Sequence, residues 1–168
     1  MNDEKDSSGG VGGQAGRDAH STDVVCQFFG KHEFQFDQTD GYLRTGLYGD
    51  HVDLDILVIT NDVDPVTIVA RLPVRATPDF RSAVGEFLHR LNFKAPRKLW
   101  EIDHNNGEIR VALYIDTTLG PLTVDVFESL FHLLVVSADA VFPYLTSVLS
   151  GRLKPDFAAD QAEAATAA

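Results

Sequence analysis

Two segments of this chain have closely similar sequences, and no other feature of the sequence constrains the fold as strongly. They read FQFDQTDGYLRTGLYGD (34–50) and WEIDHNNGEIRVALYID (100–116). An internal repeat of this kind indicates one supersecondary unit used twice. Each copy has a glycine-containing turn between alternating apolar and polar residues, so each predicts a β-hairpin. The identical pairs are Asp37/Asp103, Gly41/Gly107, Arg44/Arg110, Leu47/Leu113, Tyr48/Tyr114 and Asp50/Asp116.

The shared residues have explanations at the level of the fold. The glycines suit the positive φ of a tight turn, and a carboxylate just before the turn can accept backbone N–H groups. The remaining pairs follow the alternation of a strand that is buried on one face. The repeat therefore predicts architecture rather than chemistry.

Apolar spacing around the two hairpins predicts three helices. The first spans Ser21 to Lys31, and the second begins at Thr77, where Pro78 occupies a favourable first position. The third runs from Thr123 to about Ser150. Because Pro143 lies inside the third helix, we expect a kink or a split near residues 138–142.

Alternating residues predict six strands, four before the second helix and two after it. The resulting order α-ββββ-α-ββ-α predicts an α+β fold with an antiparallel sheet and helices packed on the sheet. The predicted strands begin at Phe34 and Tyr42 in the first copy, then cover 52–60, 66–72, 98–104 and 108–116.

Composition predicts one ordered domain between two tails. Residues 1–17 are rich in Gly and Ser and should be disordered. Residues 18–157 should form a single α+β domain. Residues 158–168 are Ala-rich and acidic, without an evident apolar face, and should be a disordered or fraying tail.

The net charge disfavours anionic partners, and the cysteine content favours a reducing compartment. The net charge is −11 and the pI about 4.8, so nucleic acid and membrane surfaces are poor partners. The longest apolar run, near residues 130–136, is shorter than the roughly 20 residues of a membrane span. A single cysteine, Cys26, suits a reducing environment. A soluble, cytoplasmic protein is the expectation.

Candidate chemistry is sparse, and we expect no catalytic residue and no cofactor. The strongest alternative is a divalent-metal-dependent nucleotidyltransferase-like enzyme, since Asp53 and Asp55 project from one face of a strand and could hold Mg²⁺. His51 shares that face, and Asp103 or Asp116 could supply a third carboxylate. Alternation alone also explains Asp53 and Asp55 as the solvent face of a strand.

The third helix is apolar on more than one side, most clearly in FESLFHLLVV (127–136). A helix on a sheet needs one apolar stripe, so the surplus predicts a second cover. That cover is either a partner protein or peptide, a second copy in a homodimer, or the first helix of the same chain. The residues predicted to form a partner or dimer surface are Phe127, Leu130, Phe131, Leu134, Phe142 and Tyr144.

The second half of the chain resembles the YbjN family, candidate bacterial sensory transduction regulators with a fold like that of type III secretion chaperones. The resemblance rests on LNFKAPRKLWEIDHNNGEIRVALYID (91–116) and LTVDVFESLFHLLVVSADAVFPYLTSVLSG (122–151), and covers roughly residues 33–151. The matching features are Leu91-Asn92, Asp103 before Gly107, Leu122-Thr123, Ala138-Asp139, Pro143 and Val148 through Gly151.

The resemblance implies a chaperone-like fold and a binding module without enzymatic activity. We therefore expect a regulatory or chaperone-like protein that binds a partner protein through an apolar helix or sheet surface.

Overall fold

The computed structural model describes residues 12–60, 65–94, 97–118 and 120–167. They form four helices and one six-stranded sheet. The elements in chain order are α1 Gly12–Lys31, β1 Phe36–Thr39, β2 Tyr42–Tyr48, β3 Asp53–Ile59, β4 Val66–Arg75, α2 Arg81–Lys94, β5 Leu99–Ile102, β6 Glu108–Ile115, α3 Val124–Leu149 and α4 Pro155–Ala167.

The sheet is antiparallel throughout, in the order β1-β2-β3-β4-β6-β5. The predicted α+β class and the order of its elements are confirmed, with one additional helix at the end. The two repeat copies form the hairpins β1–β2 and β5–β6, which occupy opposite edges of the sheet. Duplication has therefore placed the same unit at both ends of the sheet.

Both hairpin turns use the glycine that the repeat predicts. Gly41 has φ 69° and Gly107 has φ 77°, a region that L-residues with a side chain rarely adopt. Asp103 accepts a hydrogen bond from the backbone N–H of Asn105 at 2.8 Å, as predicted for a residue before a turn. Asp37 lies instead within β1, opposite Arg44 in the register.

The hydrophobic core lies between the helices and one face of the sheet. Inward-facing residues of β2 to β6, such as Leu43, Ile56 and Ile68, are fully buried. α1 packs against α3 through phenylalanine rings: the ring centroid of Phe28 lies 5.0 Å from that of Phe131 and 5.2 Å from that of Phe127. These contacts join α1 to α3 on the helical side of the sheet, where the ring of Phe29 in α1 also lies 5.2 Å from that of Phe36 in β1.

Two helices differ from the expectation at their starts. α1 begins at Gly12, within the segment predicted to be disordered, while residues 1–11 of that segment lie outside the described residues. α2 begins at Arg81, because residues 78–80 form a turn in which the carbonyl of Thr77 accepts the N–H groups of Phe80 and Arg81.

α3 is one continuous helix, so the predicted split near residues 138–142 does not occur. Its start is confirmed, because the Thr123 side chain caps the N–H of Val126. The Oγ atoms of Thr146 and Ser147 donate to the carbonyl of Pro143 at 2.9 and 2.8 Å. Gly151, with φ 68°, follows the helix end as predicted.

The prediction of a fraying tail at 158–168 is wrong, because residues 155–167 form α4. Ala158, Ala159 and Ala162 have no exposed surface and pack against α2 and α3. Lys94 at the end of α2 pairs with Asp160 and Glu163 at 2.7 and 2.6 Å. The apolar face exists, but it consists of alanines, which allow a close approach between helices.

One edge of the sheet is closed by a side chain. The Asn92 amide of α2 donates to the carbonyl of Trp100 at 2.9 Å, and its oxygen accepts the Trp100 N–H at 2.7 Å. The outward-facing N–H and C=O groups of Trp100 in β5 therefore make the hydrogen bonds that a neighbouring strand would otherwise make. Short or covered edges are a common protection against unwanted strand pairing.

α3 alone among the described helices is long and apolar enough to cross a membrane, by length and composition. One side of α3, including Phe127, Leu134 and Leu145, is buried in the core. The central helix of a protein that never enters a membrane passes the same test, so this is weak evidence for a span.

Candidate interaction surface

The structure divides the six predicted surface residues of α3 into two groups. Phe127, Phe131 and Leu134 are at most 3% exposed and belong to the core, so the prediction that they form a partner surface is wrong. α1 provides the second cover that the apolar sequence required. Leu130, Phe142 and Tyr144 are half-buried and pack against the same core.

A group of exposed apolar side chains lies on the opposite side of the sheet. Strand alternation places one set of residues away from the helices, and the register joins these residues across the strands. Leu57 pairs with Val69, Val69 with Ala112, and Ala112 with Leu99. The next row joins Tyr42, Ile59, Thr67 and Tyr114.

We call the apolar members of these two rows the open-face stripe: Tyr42, Leu57, Ile59, Val69, Leu99, Ala112 and Tyr114. Its outer members are well exposed, with Tyr42 at 40%, Leu99 at 42% and Tyr114 at 50%. Val69 and Ala112 lie in the centre and are nearly covered by their neighbours, yet neither belongs to the core cluster of the helical side. Several exposed apolar side chains on one face of a sheet are a common mark of a protein-binding site.

A charged row borders the stripe. Asp55, Arg71, Arg110 and Glu101 follow one another in register across four strands. Asp55 accepts two hydrogen bonds from Arg44, at 2.7 and 3.1 Å, and lies 3.6 Å from Arg71. These contacts fix the polar boundary of the stripe.

Further ion pairs continue this boundary towards β5 and β6. The Nε of Arg110 donates to Glu101 at 2.5 Å, and this hydrogen bond raises the pKa of the guanidinium. Glu108 lies 3.8 Å from Arg75 and 4.0 Å from the Nε of Arg71, a buried atom with no hydrogen-bond partner. The charged residues that border the open-face stripe therefore pair mostly with one another.

The residues of the alternative metal site, Asp53, Asp55 and His51, do not form one cluster. Asp55 is committed to two arginines, and the Nδ1 atom of His51 hydrogen-bonds Asp139 of α3, so His51 does not join Asp53 and Asp55. Asp53 borders an open groove of about 600 Å³ beside β1–β3. Among the described residues no group of three or more His, Cys, Asp or Glu side chains could hold a metal ion.

Asp139 holds the β2–β3 loop against α3. One of its oxygens accepts the N–H groups of His51 and Val52 at 2.8 and 3.1 Å, and the other lies 2.9 Å from the His51 ring. Burial alone would raise the pKa of Asp139, but these hydrogen bonds lower it below its usual value. A Cβ at Gly49 would lie 2.2 Å from the carboxylate, so this approach requires glycine.

A paired His and Asp resemble two members of a catalytic triad, in which the carboxylate orients the imidazole. A triad also needs a nucleophile within hydrogen-bond reach of the other ring nitrogen. Among the described residues, no serine, threonine or cysteine hydrogen-bonds His51. The pair therefore acts as a structural clip between a loop and a helix.

The open-face stripe was not predicted from the sequence, although the residue patterns of β3 and β4 indicate it. β3 alternates at Asp53 to Asp55 but becomes continuously apolar over 56–59, and β4 is buried at every position from Val66 to Ala70. Continuous apolar strands are typical of sheets with apolar surfaces on both faces. That change of pattern predicts an apolar open face.

Comparison with known proteins bears on the fold. No family profile and no curated protein matches the sequence. The structure is similar to the crystal structure of YbjN from E. coli, described as a candidate transcription regulator, with a TM-score of 0.52 and 15% sequence identity. The similarity covers 77% of this chain and 90% of that chain. The predicted YbjN-like fold is confirmed, and at this identity the similarity shows the fold alone.

Proposed function

We propose that the protein is a non-enzymatic, cytoplasmic binding module with a regulatory or chaperone-like role, which binds another protein through the open-face stripe. One observation carries the proposal: the helices pack on one face of the sheet, whereas the other face presents exposed apolar side chains in register. Exposed apolar side chains on one face of a sheet can bind another protein, because the removal of apolar surface from water favours association.

The fold supports a regulatory role that needs no chemistry. The structural neighbour YbjN is described as a candidate regulator of transcription. In this chain the net charge of −11 disfavours direct contact with DNA, so regulation would proceed through a protein partner.

The competing function is a nucleotidyltransferase-like enzyme that uses Asp53 and Asp55. A catalytic cation would have to displace the bidentate Arg44 contact of Asp55, at a cost in hydrogen bonds to a charged group. Mg²⁺ with a nucleotide should therefore leave the melting temperature unchanged. A rise that grows with ligand concentration would favour the enzyme.

The binding role is tested by charged substitutions in the stripe. Tyr42→Glu and Leu99→Glu lie near opposite ends of the stripe at 40% and 42% exposure, and Val136→Glu on α3 is a matched control at 47%. Proteins that the immobilised wild type retains from a cell extract, identified by mass spectrometry, should be lost with both stripe variants and kept with the control. If the two stripe variants retain the same proteins as the wild type, the proposal is contradicted.

A further inference from the structure

We propose that the partner that fits the open-face stripe is the same face of a second copy of this chain, so that the protein forms a homodimer in which two sheets pack face to face. This inference rests on the proposed function and names its partner. It follows from the charge of the open face, the pairing of its ions and its shape.

The open face is nearly neutral on a strongly acidic molecule. Within the six described strands the charged residues are four arginines and five carboxylates, a sum of −1, whereas the whole chain has a net charge of −11. They are Arg44, Arg71, Arg75, Arg110, Asp37, Asp53, Asp55, Glu101 and Glu108. Two copies repel each other through the rest of their surfaces, because like charge opposes association. The open face is where that repulsion is weakest.

Most charged side chains of the open face are paired with one another, so few remain to bind a charged partner. Arg44 and Arg71 share Asp55, Arg110 holds Glu101, and Arg75 lies beside Glu108. A basic peptide or a polyanion gains most where charges are unpaired. A surface whose charges are already paired suits an equally neutral apolar surface, and a second open face has that chemistry.

The shape of the face permits this packing. Six strands at a spacing of about 4.8 Å make it roughly 24 Å wide, and sheets commonly pack face to face about 10 Å apart. Tyr42 and Tyr114, at 40% and 50% exposure, belong to a residue type that is enriched in protein interfaces. Because the acidic remainder of each molecule opposes association, we expect a weak dimer with a dissociation constant in the micromolar range.

Sedimentation equilibrium of the full chain from about 1 to 200 µM tests the inference. We expect the wild type to dimerise, and Tyr42→Glu and Leu99→Glu each to raise the dissociation constant at least tenfold, because an isologous interface contains every substitution twice. Val136→Glu should dimerise like the wild type. Circular dichroism and melting temperature confirm that each variant is folded.

Salt gives a second readout. If the interface is apolar and near neutral, raising NaCl from 50 to 500 mM should tighten the dimer, because salt screens the repulsion between the acidic surfaces. An interface made by attraction between opposite charges would weaken instead, and that result would overturn the inference.

Two sedimentation results would also overturn it: a wild type that stays monomeric to about 200 µM, or a dimer that both stripe variants retain. Either result leaves the proposed function standing if the stripe still retains another protein in the capture experiment. If retention is indifferent to the stripe as well, the proposed function fails with it.

Discussion

Asp139 shows how one side chain can join two parts of a fold that the sequence keeps 87 and 88 residues apart. Its carboxylate is 17% exposed and accepts two backbone N–H groups from the β2–β3 loop. The resemblance to the YbjN family includes Ala138-Asp139, but the sequence does not reveal the partner of Asp139. Hydrogen bonds to a distant loop depend on the tertiary fold, which residue spacing along a helix does not encode.

We expect Asp139→Asn to lower the free energy of unfolding at pH 7 by roughly 1–3 kcal/mol, because an amide accepts these hydrogen bonds less strongly than a carboxylate. The depressed pKa of Asp139 means that its contribution is complete above the unfolded value near 3.9 and is lost as pH falls through the lower folded value. Urea unfolding from pH 7 to pH 3 should therefore show the two proteins converging below about pH 4.

Asp50→Asn is the matched control for this measurement, because Asp50 lies exposed in the same loop. It should leave the free energy of unfolding within about 0.5 kcal/mol of the wild type. A difference between the wild type and Asp139→Asn that stays constant down to pH 3 would show that the effect is not electrostatic.

At the scale of elements, periodicity predicted the strands and hairpins well and the final helix poorly. The predicted β2 has the observed bounds, because alternation and a glycine turn are local signals. α4 gave no such signal, since its buried face is made of Ala158, Ala159 and Ala162, and alanine is common on both exposed and buried helix faces. The open-face stripe was missed because its members lie on five strands that only the register of the sheet brings together.

The close packing of α4 is tested by one substitution and its neighbour. Ala162→Glu places a carboxylate where the side chain has no exposed surface, so we expect a loss of about 2–4 kcal/mol in the free energy of unfolding. Ala164→Glu, two residues further along the exposed side, should change it by less than about 0.5 kcal/mol. Equal effects in chemical denaturation would mean that α4 does not dock on α2 and α3.

At the scale of the whole molecule, the net charge and the pairing of the arginines bear on contact with DNA. Binding to DNA relies on Lys and Arg side chains that neutralise phosphates and release counterions. Here Arg44 and Arg110 of the sheet are bound to Asp55 and Glu101, on a molecule with a net charge of −11. Both features predict weak binding to DNA.

We expect no retardation of a duplex DNA fragment in a gel at 100 mM NaCl and protein concentrations up to about 10 µM. The double variant Asp55→Asn, Glu101→Gln removes the carboxylates that hold Arg44, Arg71 and Arg110, but its net charge is still −9 (−11 + 2), so it too should leave the DNA unretarded. Retardation by the wild type at this salt would contradict the prediction.

The amide of Asn92 has a consequence for how far molecules of this protein can join edge to edge. Because Trp100 is already hydrogen-bonded on its outer side, β5 cannot accept another strand there, and growth of the sheet is confined to β1. A molecule with one blocked end terminates a polymer after a single addition. Two molecules joined at β1 would make a closed pair, so pairing of sheet edges by itself would not continue beyond two molecules.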